Sequence, residues 1–175
     1  MTMRKTVLTF GLISGAVSSV MMLLTVPFID TIGFDHGEIL GYTLIIASLL
    51  PVYFGIRSYR DNVAGGSVTF GRAFLIGLLI SIISSACYVI TWEFVYFKLR
   101  PDFGEKFSAY AIERVRKSGG SAQAIAETTQ QMKTFKEMYD RPLVNAAMTF
   151  VEPFPIGVVV AAVSAGVLRK RRRPV

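Results

Sequence analysis

The sequence has one cysteine (Cys87), one histidine (His36) and one tryptophan among 175 residues. A single cysteine cannot close an internal disulfide, which excludes a disulfide-stapled fold. One histidine and one cysteine cannot assemble a zinc site of the usual kind, so no metal site is expected. One histidine also leaves no credible Ser–His–Asp set. Phosphate loops of the G-x-x-x-x-G-K-[ST] form are missing, and no cofactor is implied. Charge is scarce as well. Only 18% of residues are Asp, Glu, Lys or Arg, where globular domains average about a quarter. Together these shortages argue against an ordinary soluble enzyme. What is abundant is apolar surface: 52% of the residues are hydrophobic and the mean hydropathy is +0.49.

The apolar residues fall in four stretches, about 7–29, 39–56, 73–97 and 143–168. The first two carry no charge, the third carries Glu93 and the fourth Glu152. A hydrocarbon core of roughly 30 Å needs about 20 helical residues, so each stretch is long enough to span. Backbone polar groups in hydrocarbon must be satisfied internally, so the stretches are expected to be helices. The expected fold is all-α, a four-transmembrane-helix bundle forming one integral membrane domain over 1–175. A very apolar soluble bundle is the rival, and it fails because none of the four stretches shows a polar face. The first stretch follows Arg4 and Lys5 but exceeds the apolar core of a signal peptide and lacks an A-x-A-like site before Asp30. It is expected to stay as an anchor.

Orientation follows from Lys and Arg. Arg4, Lys5, Arg57, Arg60, Arg72 and the run Arg169 to Arg173 all fall on one side, against a single acid, Asp61. On the other side, a short loop holds Asp30, Asp35 and Glu38 with no Lys or Arg. Both termini are therefore expected to be cytoplasmic, and the net charge of +7 is read as a topology signal rather than a nucleic-acid footprint. The terminal basic run anchors the last span and could also meet anionic lipid.

The insert at about 99–141 is not a linker. Phe103, Phe107, Ala111 and Val115 recur on one helical face. Ser118, Gly119, Gly120 and Ser121 interrupt the pattern, with Ser121 able to cap a second helix. Ile125, Thr128, Met132, Phe135 and Tyr139 then repeat it. An extracytoplasmic amphipathic helical hairpin is expected, its apolar faces buried on each other, on the outer leaflet or on a partner. Small residues are spaced for close helix approach: Gly11 and Gly15, then Gly77, Ser81 and Ser85, then Gly157, Ala161 and Ala165. Packing within the chain is preferred over homodimerisation for these faces. No internal repeat supports an inverted-repeat transporter.

Acids inside spans are costly and are functional candidates by default. Glu93 lies 21 residues after Arg72, roughly 31 Å along a helix, near the outer interface with Trp92 and Tyr96. Glu152 lies 11 residues after Arg141, roughly 16 Å, inside the hydrocarbon. Pro153 and Pro155 follow it and would free the carbonyls of Thr149 and Val151. The proline also disfavours helical geometry at Glu152 itself. A ligand, proton or ion site at this break stands beside a plainer reading: a kinked helix whose buried acid bonds Thr149 or a neighbouring serine. Glu38, Glu93 and Glu152 could converge on an outward-facing pocket, with Lys98, Arg100 and Arg141 able to pair with them. On the basic side, Arg57, Arg60 and Arg72 flank glycine turns that could hold an anionic lipid headgroup. A plain positive-inside loop is the simpler alternative. His36 is read as a surface residue and Cys87 as inert core.

Several stretches resemble the bacterial membrane family catalogued as domain of unknown function 4199. They are Gly11-Leu12-Ile13-Ser14-Gly15, Gly37-Glu38-Ile39-Leu40-Gly41-Tyr42, the GIRSYRD run from Gly55, the GGSVTFG run from Gly65, and Tyr88-Val89-Ile90-Thr91-Trp92-Glu93. The resemblance implies a four-span protein of the bacterial inner membrane and supplies no activity. It places Glu38, Arg57, Arg60 and Glu93 in the family pattern without roles. The function expected first is a non-enzymatic membrane interaction or structural module, meeting another envelope protein or itself through the hairpin. Besides the lipid bilayer, no nucleic-acid partner is expected. The alternative is a small-molecule, lipid or ion/proton-handling protein using the acids near the break in span four. An enzyme is least supported.

Overall fold

The computed structural model describes residues 2–170; Arg171, Arg172 and Arg173 of the basic run lie outside them. Among the described residues the chain is helical with no strand, as the composition implies. Helix α1 (Met3–Thr25) opens on Thr2, whose side chain accepts from the Lys5 amide, and a turn of 3-10 helix at Pro27 leads into the short α2 (Ile29–Ile32). Helices α3 (Phe34–Ser48) and α4 (Leu50–Asn62) follow, then α5 (Phe70–Phe94), whose first turn is capped by Thr69. A π turn over Val95–Leu99 leads to α6 (Phe103–Lys117) and α7 (Ala122–Tyr139), and α8 (Pro142–Val151) and α9 (Pro153–Leu168) complete the chain.

Four helical segments are long and apolar enough to cross a membrane: Met3–Ile32, Phe34–Asn62, Phe70–Leu99 and Pro142–Leu168. Each reaches beyond the apolar stretch read from the sequence, because helices continue through the polar residues at their ends. Segment two is broken as well as segment four. Pro51 cannot donate to the ladder, and the chain steps from α3 to α4 at Leu49. The Leu49 amide bonds back to the Ile46 carbonyl at 3.2 Å, and Val52 bonds to Leu49 at 2.9 Å rather than to Ser48. Ser14 on α1 takes up the freed Ser48 carbonyl at 2.6 Å.

Helix α5 is the central element and packs against α1, α4, α8 and α9. Apolar helices gain little by leaving lipid, so close backbone approach and polar links must hold them. Both are present. Ser14 Oγ bonds Ser84 Oγ at 2.8 Å, Ser81 Oγ reaches the Gly157 carbonyl at 3.2 Å, and Thr91 Oγ1 donates to Ser19 Oγ at 2.7 Å. Interhelical bonds of this kind contribute about 0.6 kcal/mol each. The small-residue faces are spent inside the chain: a Cβ on Gly15 would meet Cys87 at 2.6 Å, and one on Gly77 would meet Ala161 Cβ at 2.8 Å. Large apolar side chains such as Leu24, Ile39, Ile90 and Val167 instead face outward, as lipid contact requires.

At the basic end, the α4–α5 loop is stitched to the end of α9. Val68 and Lys170 exchange two backbone bonds of 3.0 Å. Arg60 grips Asp61 at 2.7 Å and reaches the Leu168 carbonyl, Arg57 shares Asp61 at 3.7 Å, and Arg72 reaches the Tyr59 hydroxyl. These guanidinium groups thus have protein partners in the loop proposed for a lipid headgroup.

Candidate functional site

The break in segment four builds a polar knot in an apolar setting. Proline 153 ends α8, yet Glu152 keeps right-handed helical dihedrals (φ −70°, ψ −61°). The disturbance is in the hydrogen bonds and not, as expected, in the local geometry of Glu152. The freed Thr149 carbonyl accepts from the Glu152 amide at 3.3 Å. The Thr149 hydroxyl bonds Asn145 Oδ1 and the Tyr139 hydroxyl, each at 3.2 Å, and Asn145 Nδ2 donates to the Tyr139 carbonyl. Trp92 Nε1 donates to the Tyr139 hydroxyl at 2.9 Å. Asn145 and Thr149 are fully buried, so this set of bonds satisfies groups that would otherwise be costly. Glu152 is exposed and not, as expected, buried, and its side chain bonds neither Thr149 nor a serine. Tyr88 on α5 donates its hydroxyl to Glu152 Oε2 at 3.2 Å.

The hairpin closes over this region. Helix α6 enters from Arg100, which donates to the Val26 carbonyl at 3.2 Å and forks onto Asp30 at 2.8 Å. Lys106 bridges Asp30 at 3.1 Å and Asp102 at 2.7 Å. The hydrogen bond from Lys106 holds the Asp102 carboxyl below its ordinary range. Tyr110 donates to Asp35, and that bond raises the phenol's pKa. On the other arm, Lys136 pairs with Asp140 at 2.8 Å, and Asp140 accepts from Tyr96 at 2.7 Å. Burial pushes the Tyr139 phenol up, so it stays neutral at the junction with α8. Between the tethers the hairpin presents rings. Phe103 packs edge-on to Trp92 at 5.0 Å, Phe34 meets Phe103 and Phe107, and Tyr139 packs on Tyr96 at 5.2 Å. The amphipathic faces pack chiefly on each other and, at Phe103, Phe107 and Tyr139, against rings of the apolar segments, and none of their residues is fully buried.

Beneath the hairpin lies a cavity of about 670 Å³, bounded by α1, α3, α5, α6, α7 and α8. That is the size of small-molecule sites, and the walls are mostly apolar and aromatic with a few polar groups, as such sites are. Glu38 and Glu152 both line it; Glu93 is not among the lining residues. Glu93 follows Trp92 by one residue, about 100° round α5, and its Oε1 is buried with no hydrogen-bond partner among the described residues. Nor do the expected bases meet these acids: Arg100 is committed to Asp30 and Asp102, while Lys98 and Arg141 form no ion pair among the described residues. His36 is exposed.

Helix lengths place the two acids along the cavity. Glu152 is 10 residues in from Pro142, about 15 Å, and Glu38 is 4 residues in from Phe34, about 6 Å. Glu152 thus marks the inner end and Glu38 the hairpin end. Two further lining residues carry a signal visible in the sequence. Gly37 and Gly41 sit one turn apart on α3, and a Cβ at either meets nothing within 4 Å. Here glycine leaves space where Gly77 removes it. Tyr88 and Trp92 on α5 and Tyr96 on the π turn that follows it recur every four residues and form one aromatic wall.

A family model described as protein of unknown function (DUF4199) matches residues 9–170. No curated protein and no solved structure matches the chain.

Proposed function

The chain belongs to the DUF4199 family, whose description assigns no activity, and we propose that it is a membrane protein that binds an amphiphilic small molecule or lipid under the hairpin. The observation that carries this reading is the cavity of about 670 Å³ with aromatic walls and a carboxyl group at its inner end. An apolar body leaving water for the surfaces of Met22, Val26, Ile45 and Phe107 would gain about 25 cal/mol for each Å² removed from water. Polar groups at the two ends would fix its direction. We prefer this reading to the hairpin-docking module because the hairpin rings Phe103, Phe107 and Phe135 line the cavity.

The setting proposed is the inner membrane of a bacterium, with both termini in the cytoplasm and the hairpin on the outer face. The basic residues at one end of the four segments support it. In that orientation the cavity opens below an external cover, where a molecule could enter from the outer leaflet or the space beyond.

Native mass spectrometry of protein released from a mild detergent tests the binding reading. Wild type should carry a bound lipid or small molecule, and Gly41→Leu, which adds a side chain at a lining position where a Cβ meets nothing within 4 Å, should lose it. A wild-type chain that is always bare, including after incubation with total lipid extract, overturns the reading.

A further inference from the structure

The charges that line the cavity are unevenly placed. Four lining residues are ionisable as acids or bases of full charge: Glu38, Glu152, Arg114 and Lys136. Both basic ones belong to the hairpin, and Lys136 is already paired with Asp140 at 2.8 Å. The acids belong to the apolar segments. At the inner end the charged group is Glu152, whose polar contact is one tyrosine hydroxyl at 3.2 Å. A carboxylate has about four acceptor positions, so most of that capacity is unmet by the protein, and Glu152 is exposed where it borders the cavity. Tyr42, Tyr88 and Trp92 line the same space, and aromatic faces attract cations, Trp most strongly.

From this arrangement we propose that the occupant is a lipophilic cation: an amine or quaternary ammonium group on an apolar body, its charged end against Glu152 and its body beneath Phe34, Phe103 and Phe107. The inference rests on the cavity being a binding site and adds the sign of its ligand. An anionic amphiphile is the opposed case. With its head near Arg114 it would lay its hydrocarbon against Glu152, leaving a carboxyl group facing an alkyl chain. Burying a polar group without a partner is costly. A cation at the inner end satisfies that group and leaves hydrocarbon against rings.

Trp92 makes the test direct, because it is the sole tryptophan and it lines the cavity. Protein in lipid nanodiscs is titrated with three quenchers that share an ω-bromododecyl chain and differ in head group: trimethylammonium, hydroxyl and carboxylate. The proposal expects saturable quenching by the ammonium probe at concentrations at least tenfold below the alcohol. Glu152→Gln should erase that difference, and Glu152→Asp should keep most of it. If Glu152→Gln does not fold, the three probes on wild type decide alone. Equal saturable quenching by all three probes, abolished in Gly41→Leu, overturns the charge assignment and leaves the binding site standing. Preference for the carboxylate, lost in Arg114→Gln, overturns it in favour of an anion. Quenching that is linear for every probe and unchanged in Gly41→Leu overturns both.

Discussion

Gly77→Ala should loosen the central helix pair. A Cβ at Gly77 on α5 would come to 2.8 Å from Ala161 Cβ on α9 and 3.1 Å from its Cα. Ordinary contact begins at 3.4 Å, so the helices must part by about half an ångström or more. Ala161 has no flexible end that can swing aside. Overpacking of this kind costs about 1–3 kcal/mol, while alanine is better than glycine within a helix by about 1 kcal/mol. The net loss is about 0–2 kcal/mol relative to wild type, which for a chain of this size lowers Tm by up to about 8 °C, and the deficit against an alanine placed without a clash is the full 1–3 kcal/mol. Gly166→Ala on α9 is the control, since a Cβ there meets nothing within 4 Å. It keeps the helical gain and should hold or raise Tm. A temperature ramp in mild detergent, followed by maleimide-dye reaction with Cys87, the sole thiol, reads both. Equal Tm values for the two variants would refute the account of α5–α9 packing.

Three further outcomes are expected. Tyr139→Phe removes the oxygen that accepts from Trp92 and bonds Thr149, so it should cost about 1–3 kcal/mol of stability and shift Trp92 emission; unchanged emission would contradict the bond. Because the Asp102 carboxyl is held low by Lys106, its contribution to hairpin docking is complete above the unfolded carboxylate pKa and lost as pH falls through the lower folded one. The hydrogen-exchange protection factors of residues 103–117, corrected for the intrinsic pH dependence of exchange, should be flat from about pH 8 to pH 5 and fall below about pH 4, whereas a fall near pH 6 would point to another group. In a Cys87→Ala background, Ser121→Cys on the hairpin turn should react with a membrane-impermeant maleimide added to intact cells, and reaction only after lysis would reverse the proposed orientation.

The helical segments were legible because composition, periodicity and capping agreed, while their ends were not, since the helices run on through polar residues. Ser121 caps α7 and Thr69 caps α5 where the residue types imply, and the glycine faces of α1, α5 and α9 meet inside the chain. The break at Pro51 went unread because its carbonyl is satisfied by Ser14, 34 positions away in sequence. The site was legible in part. Two of the three candidate acids, Glu38 and Glu152, line one cavity, but Glu93 is separated from it by a single step round α5, a difference that hydropathy cannot show. Tyr88, Trp92 and Tyr139 matter through bonds across 47 and 64 positions of sequence. Trp92 and Tyr96 read from sequence as interface aromatics, since the hairpin that covers them is placed only by the fold.

Photo-crosslinking in the native bilayer tests the central claim most directly. An alkyl amine bearing a diazirine on its chain, irradiated with wild-type protein and mapped by peptide mass spectrometry, should label peptides spanning 34–42, 92–107 and 148–152. Labelling at these sites should be competed by excess unlabelled amine and fall in Gly41→Leu. Adducts confined to the outward-facing Leu143, Val159, Val163 and Val167, with no competition, would show the probe merely dissolved in lipid and would contradict a binding site beneath the hairpin.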